Sequence, residues 1–232
     1  VATTEELNRL NRVSDSIKEA AEFYKDNLSN GSVIYVSKHG ESIEALRIKY
    51  GEENFAHLVG MRFDRKDAKE MLEDLVNGVG EQNAILLKND GSTFEKIKVL
   101  SSVSELIDAS VFKLSAVAES VPQARKLRFS EALKTNDKRL LLALKDFEPE
   151  FYRPYSLINL ESVRNDYSDY SRVPENTVLA VLSETRNELG GLSIGTLSIN
   201  NDYVKDMSSA MGIVDVMNKR ISEEIARSES TE

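Results

Sequence analysis

The sequence contains no cysteine and only two histidines among its 232 residues. Without cysteine, the chain can form no disulfide, no zinc site built on thiolates and no cysteine nucleophile. Two histidines are also too few for a metal centre that relies on several imidazole ligands. These absences remove the thiol-dependent enzymes and the multi-histidine metalloenzymes from consideration.

Long apolar runs and an excess of positive charge are missing as well. No stretch approaches the roughly 18 apolar residues that a membrane-spanning helix needs, and no signal-peptide core is present. The formal net charge of −9 argues against a basic nucleic-acid coat protein or a membrane-surface protein. We therefore expect an intracellular protein without membrane contact, in which a local cationic site is still allowed.

The familiar short motifs of nucleotide-binding and hydrolytic enzymes are absent too. The sequence has no GxxxxGK[ST] phosphate loop, no GxGxxG after a strand, no HExxH, no EF-hand loop and no GxSxG elbow. Any active site must therefore be assembled from residues that lie far apart in the chain.

What is present is a hydrophobic content of 41%, enough for a sizeable core, arranged in alternating helical and strand patterns. Apolar residues at helical spacing predict helices, the first opened by a capping box of Thr3 and Glu6. The predicted helices cover residues 3–27, 67–76, 92–107 and 202–227, with a further short helical run after Gly51 that carries Phe55, Leu58 and Val59 on one face. The predicted strands cover residues 32–38, 41–50, 126–134, 139–145, 150–160, 177–183 and 191–199.

These elements predict an α+β fold. We expect an N-terminal helix, an antiparallel sheet of roughly five to seven strands with helices packed on one face, and a C-terminal helix. The first two strands form a hairpin, because His39-Gly40 between them is a turn signal. The pattern also suggests three parts: an N-terminal helix at 1–31, a main α+β domain at 32–162, and an extension at 163–232 packed on the same domain.

One histidine is the best single candidate for chemistry. His57 lies in the sequence ENFAHLVGM, directly after a strand that carries Arg47 and Lys49. An imidazole titrates near neutral pH, which suits a general acid or base. A histidine between apolar residues is also often a hydrogen-bonded core residue, and that alternative stays open. His39 lies at a turn tip, where a solvated residue is expected.

The second candidate feature is a local excess of positive charge. Residues 123–145 contain seven lysines and arginines but only two acidic residues, in a chain that is acidic overall. Arg128 and Arg139 belong to this stretch. A cationic patch is what binding of a phosphate backbone requires. Lysines at strand edges also prevent unwanted sheet pairing, so both interpretations remain open.

Taken in order, these segments resemble one known family. A hairpin strand rich in Arg and Lys is followed by ENFAHLVGM, by NDGSTFEKIKVLSSVSELI, and later by a strand pair that ends in FYRPYSL. This order resembles the phage-encoded Barnase/EndoU/colicin/RelE-like nuclease domains, the PBECR class, and within it the fourth type. The resemblance runs over about residues 32–162.

The resemblance implies a metal-independent ribonuclease that needs no cofactor. It singles out His57, Lys96 in DGSTFEKIKVL, and Arg153 with Ser156 in FYRPYSL as catalytic candidates. His57 would be the general base or acid, Lys96 and Arg153 would hold the phosphate, and Ser156 would donate a further hydrogen bond. Candidate substrate-binding residues are Arg47, Lys49, Tyr152, Tyr155, Arg128 and Arg139, with the two tyrosines stacking bases.

Three functions are compatible with these observations. The first is a phage or mobile-element ribonuclease that acts on RNA in the cytoplasm of the host cell, for instance as a toxin. The second is a non-catalytic phage protein that binds and modulates a host or phage protein, which the acidic total charge favours. The third is a domain that binds a small phosphorylated ligand through Lys96 and Arg153.

Overall fold

The computed structural model describes residues 1–78, 85–162, 167–186 and 192–206, together with the single residues 212, 215 and 219. It confirms the predicted α+β class: a mixed sheet closes on itself, and helices pack against it. The main sheet contains β1 (Ser32–His39), β2 (Ser42–Lys49), β5 (Phe112–Leu114), β6 (Glu131–Lys134), β7 (Leu140–Glu148), β8 (Phe151–Asn159), β9 (Glu175–Arg186) and β10 (Leu192–Ile199). A separate two-stranded sheet contains β3 (Met61–Phe63) and β4 (Ile85–Leu87).

The strand order of the main sheet is β1-β2-β8-β7-β6-β5-β9-β10. The sheet closes because β9 also pairs along β1, from Ser32 opposite Glu184 to Ser37 opposite Val178. One junction departs from the predicted antiparallel pattern: β2 and β8 run parallel and pair only through Arg47 with Phe151 and Ile48 with Tyr152. Beyond that short contact, β8 continues beside helices rather than beside β2.

The helices are short. They are α1 (Thr4–Asn11), α2 (Ser14–Phe23), α3 (Asn54–Val59), α4 (Ala68–Val76), α5 (Ser92–Ile97), α6 (Val117–Ser120), α7 (Pro122–Leu127) and α8 (Tyr167–Tyr170). A π-helical turn at Tyr24–Leu28 extends α2, and 3₁₀ segments occur at Leu100–Ile107 and Asn201–Asp206.

Helices cover both faces of the sheet, whereas the sequence predicted one covered face. The larger core joins one face to α1–α5, with Tyr35, Leu46, Leu142 and Leu157 among its buried residues. The opposite face packs against α6, α7 and α8. Because adjacent residues of a strand point to opposite sides, Leu141 and Ala143 belong to this second core while Leu142 and Leu144 belong to the first.

Two predicted helices are divided in the structure. The helix predicted at 3–27 begins with the expected Thr3–Glu6 capping box but breaks between α1 and α2, where Val13 has the non-helical angles φ −121° and ψ 11°. The Ser14 hydroxyl donates to the Asn11 carbonyl across this break at 3.0 Å. The helix predicted at 92–107 is α5 followed by the 3₁₀ segment.

The strand predicted at 126–134 is wrong in its first part, and only Glu131–Lys134 forms a strand. Its first part completes α7, which Pro122 begins, and the helix ends at Arg128 with a left-handed φ of 58°. Proline suits the first turn of a helix because its missing N–H has no partner there, so Pro122 was the available signal. Of the terminal helix predicted at 202–227, the described part is the 3₁₀ segment, and the rest lies outside the described residues apart from positions 212, 215 and 219.

Candidate functional site

The candidate site forms where α3 and α5 lie against β8. Helix α3 buries Phe55, Leu58 and Val59 in the larger core, and this leaves His57 on the exposed side of the same short helix. The helix ends at Gly60, whose φ of 74° is in the left-handed region that favours glycine. The predicted short helical run with Phe55, Leu58 and Val59 on one apolar face is therefore confirmed, and the structure adds that His57 lies on its exposed side.

Lys96 lies directly beneath this helix. Its side chain is only 4% exposed, and its ammonium group donates a hydrogen bond of 2.9 Å to the backbone carbonyl of His57. Thr93, one turn earlier on α5, donates to the carbonyl of Gly60 at 2.6 Å. Two side chains of α5 thus bind carbonyls in the last turn of α3, where the helix leaves them without backbone partners.

The pKa values of these two groups are both lowered. Burial, and after it the nearby charge of Lys88, lowers the pKa of Lys96 to about 7. Partial burial lowers the pKa of His57 to about 4, and the positive charges of Lys96, Lys88, Lys145 and Arg153 act in the same direction. At neutral pH the imidazole is therefore neutral and able to accept a proton.

Tyr155 connects His57 to β7. The two rings lie with centroids 5.5 Å apart, and the ammonium group of Lys145 lies 3.4 Å from the centroid of the tyrosine ring. Tyr155 can take this position because the register of β7 and β8 shifts beside it: Leu144 pairs with Pro154, but Ala143 pairs with Ser156. The extra residue of such a bulge is unpaired, so its side chain can point away from the regular strand.

Exposed cations surround this ring pair. Arg153 lies opposite Lys145 in the pairing of β7 and β8, and its guanidinium carbon is 5.4 Å from the centre of the Phe147 ring. On the other side, His57 and Lys88 line a cavity of about 380 Å³ between α3 and the β3–β4 sheet. Arg62 and Glu53 also line this cavity. The arrangement combines a neutral imidazole with several positive charges, which suits an anionic substrate.

Arg47 is placed differently from its predicted substrate-binding role. It is 1% exposed, its guanidinium forms an ion pair with Glu184 of β9, and it lies 4.5 Å from the centre of the Phe151 ring. Lys49 forms an ion pair of 3.6 Å with Glu148 and lies near the Phe147 ring that Arg153 also contacts. Arg47 is a buried link between strands, and Lys49 is a neighbour of Arg153.

Ser156 and Tyr152 are also directed elsewhere. Ser156 pairs with Ala143 in the second core, and its hydroxyl donates to the Leu157 carbonyl at 3.3 Å. Tyr152 packs against the larger core, and burial together with the charges of Glu131, Asp146 and Glu44 raises its pKa. Of the two predicted stacking tyrosines, the structure brings Tyr155 to His57.

The cationic stretch at 123–145 does not form one surface. Lys134 is buried in an ion pair with Glu175, and Arg139 forms an ion pair of 3.1 Å with Glu161. The guanidinium of Arg125 donates to the carbonyls of Ala118 and Glu119. Arg128 is exposed at the end of α7, and Lys145 lies at the candidate site.

The sequence matches the model of one known protein family. Residues 16–200 match the model of the family described as phage-Barnase-EndoU-ColicinE5/D-RelE like nuclease4, PBECR4. The chain belongs to this family. The match reaches beyond the segment 32–162 that carried the resemblance, and the PBECR4 region includes α2 and strands β9 and β10. Neither the curated proteins nor the solved structures include a match to the chain.

Two cations of the PBECR4 site were not among the predicted site residues: Lys88 and Arg62. Arg62 lies in β3 and Lys88 directly follows β4, and the sequence did not predict this two-stranded sheet. Lys145 was counted in the cationic stretch but not assigned to the site, although its position opposite Arg153 follows from pairing the strands at 139–145 and 150–160. Within the described ranges, no helix is long and apolar enough to cross a lipid bilayer.

Proposed function

We propose that this PBECR4 protein is a metal-independent endoribonuclease of phage type that cleaves RNA in the host-cell cytoplasm. The observation that carries the proposal is a neutral imidazole held among positive charges: His57, with a pKa of about 4, lies beside Tyr155 and under the influence of Lys88, Lys145 and Arg153. Such a group can remove a proton while the cations bind the phosphate.

In the proposed reaction, the neutral ring of His57 takes the proton of the RNA 2′-hydroxyl. The 2′-oxygen forms a bond to the adjacent phosphorus, and the bond from phosphorus to the 5′-oxygen breaks. The products are a 2′,3′-cyclic phosphate and a 5′-hydroxyl. Lys88, Lys145 and Arg153 offset the negative charge that grows on the phosphoryl oxygens.

Lys96 has a supporting role in this proposal. Its ammonium group is bound to the His57 carbonyl and buried, so it holds α3 and keeps the imidazole neutral instead of contacting the substrate. For the same reason we assign the proton on the leaving 5′-oxygen to solvent water. The ring of Tyr155, tilted by 40° against that of His57, is the candidate for stacking a base, because single-stranded RNA is commonly recognised through aromatic rings.

The test is cleavage of a single-stranded RNA in the presence of EDTA by the wild type and by His57→Ala. We expect the wild type to release a 2′,3′-cyclic phosphate, and the variant to lose at least about 100-fold in kcat/KM, as removal of a general base typically does. His39→Ala is the matched control, since His39 lies at the exposed tip of the β1–β2 hairpin.

Two outcomes would contradict the proposal. Full activity of His57→Ala would remove the histidine from the mechanism, and activity that EDTA abolishes would contradict metal independence. A wild type that neither binds nor cleaves RNA, with circular dichroism showing an intact fold, would favour the alternative of a non-catalytic protein that binds a host or phage protein.

A further inference from the structure

A second cationic groove lies on the other side of α5 from Lys96. It has a volume of about 390 Å³, and its polar and aromatic lining residues are Arg9, Arg12, Ser16, Phe94, Lys98 and Ser101. Among the residues that the structure describes, no carboxylate lines the groove, although the chain as a whole has a net charge of −9. This concentration of positive charge contrasts with the acidic total and favours an anionic ligand.

The arginines of the groove have donors available. The guanidinium carbon of Arg9 is 3.7 Å from the centre of the Phe94 ring, so the ring contacts the face of the cation. Stacking uses that face and leaves the N–H groups, which point outward in the guanidinium plane, free to bind oxygen atoms. Arg12 is exposed, and the ammonium group of Lys98 donates to a carboxylate oxygen of Glu95 at 2.8 Å.

The position of the groove connects it to the candidate active site. Phe94 and Lys98 lie on one side of α5, while Thr93 and Lys96 on the other side contact the carbonyls of α3. A helix with its side chains is about 10 Å across. A flexible RNA strand bound near His57 has to pass both α3 and α5 to reach Arg9 and Arg12, which takes several nucleotides.

The two arginines also lie outside the part of the chain that matches the family model, which begins at residue 16. The groove thus combines an N-terminal addition, α1, with the family's own helix α5. The last turn of α1 favours a cation because of the helix dipole, and Arg9 benefits from this. The dipole does not explain the convergence of Lys98, Ser16 and Ser101 from three other segments on the same groove.

We propose that this groove is an exosite for the phosphate backbone of the RNA substrate, several nucleotides away from the cleaved bond. The inference rests on the proposed ribonuclease function and extends it to a preference for longer RNA. Arg9 and Arg12 bind phosphate oxygens, and the hydroxyls of Ser16 and Ser101 supply further donors. The contacts are to the backbone, so they increase affinity without selecting a base sequence.

The experiment compares Arg9→Ser/Arg12→Ser with a control that loses the same charge elsewhere, Arg65→Ser/Arg172→Ser. Both control arginines are exposed and distant in sequence from the groove. Cleavage is measured on a dinucleotide and on a 20-nucleotide single-stranded RNA, and binding of the longer RNA is measured at several salt concentrations with His57→Ala as the background.

We expect the groove variant to cleave the dinucleotide like the wild type but to lose about ten-fold in kcat/KM on the longer RNA at low salt. The plot of log affinity against log salt should become less steep by about 1.4, since each phosphate contact to a single strand contributes about 0.7. The control variant should keep the wild-type slope and selectivity.

Three results would overturn the exosite: equal loss on both substrates, equal loss in the control variant, or tighter binding of an acidic peptide than of RNA by the groove. Failure of the exosite is separable from failure of the nuclease. If the groove variant cleaves the dinucleotide and keeps the wild-type preference for longer RNA, the ribonuclease proposal is supported and the exosite is not. If long RNA binds through Arg9 and Arg12 but is not cleaved, the groove is supported as an RNA-binding site and the ribonuclease proposal is not.

Discussion

His57 and Lys96 are two ionisable side chains that the fold keeps away from their usual charge states. Burial is the largest cause for both, and the mutual repulsion of neighbouring cations adds to it. Pairs of titratable groups with displaced pKa values are frequent at active sites and less frequent elsewhere. The structure places the predicted site residues His57 and Lys96 together, and the contact of Lys96 with the His57 carbonyl is why we propose a supporting role for it instead of phosphate binding.

The first prediction concerns pH. A histidine whose pKa is lowered to about 4 stays neutral at all pH values above that, so kcat/KM for RNA cleavage should rise as the pH increases through about 4 and then level off. An unperturbed histidine would place the rise near 6.5. A pH profile of kcat/KM on a dinucleotide measures this, and a rise centred near 6.5 would show that the free enzyme does not lower the pKa.

The second prediction concerns Lys96→Met. Below pH 7 the Lys96 ammonium group is buried in the folded protein and solvated in the unfolded chain, and this lowers the free energy of unfolding. The free energy of unfolding rises again as the pH increases from about 7 towards 10.5, because the folded protein releases this proton before the unfolded chain does. Lys96→Met should therefore raise the free energy of unfolding at pH 7 by about 1 to 3 kcal/mol, partly offset by the lost hydrogen bond to the His57 carbonyl. Urea denaturation measures it.

The same variant should lower activity and move the acid limb of the pH profile upward from about 4, because one of the cations that repel a protonated His57 is gone. Increased stability together with reduced kcat/KM distinguishes a functional lysine from a structural one. Lys126→Met, which removes an exposed lysine of α7 away from the site and the groove, should change neither property by a comparable amount.

At the scale of elements, the site depends on the meeting of α3, α5 and β8. Helix α3 is only six residues long, too short to be stable alone, so its position is set by burial of Phe55 and Leu58 and by the two side chains of α5. The bulge in β8 then turns Tyr155 towards His57. The site would change if any one of these three elements shifted.

Gly60→Ala tests this dependence. A Cβ at Gly60 would lie 3.2 Å from the Lys96 side chain, and the left-handed φ of 74° disfavours alanine. We expect a loss of about 1–2 kcal/mol in the free energy of unfolding and a fall of about ten-fold or more in kcat. The control is Gly40→Ala, where φ is 58° but the Cβ meets nothing within 4 Å. Comparable falls in kcat for both variants would contradict the role of α5 in positioning α3.

At the scale of the whole molecule, closure of the sheet brings together segments more than a hundred residues apart. Strand β9 pairs with β1 through six residue pairs and with β5 at its other end, so residues outside the predicted main domain complete the sheet. The division of the chain at residues 31 and 162 stays a prediction about domain organisation. The buried ion pair of Arg47 on β2 with Glu184 on β9 spans β1, which lies between them.

This ion pair provides the last prediction. Arg47→Met should lower the free energy of unfolding by about 3–5 kcal/mol, because Glu184 would remain buried without a compensating charge. Adding Glu184→Leu should restore most of the loss, since the charge that needs compensation is then gone. A double-mutant cycle by urea denaturation measures the coupling. The refolded variants should retain wild-type kcat. A selective loss of RNA binding in Arg47→Met would instead support the substrate-binding role that the sequence predicted for Arg47.

The sequence alone determined the α+β class, the β1–β2 hairpin, and a short helical run that contains His57 and carries Phe55, Leu58 and Val59 on one apolar face. These features follow from local periodicity, turn residues and caps, which act over a few neighbouring residues. Only the tertiary structure decided that Arg47 is buried, that β2 and β8 run parallel, and that Tyr155, Lys145 and Lys88 surround His57. Pairing and burial between distant segments depend on the packing of the whole core, and the local pattern does not contain that information.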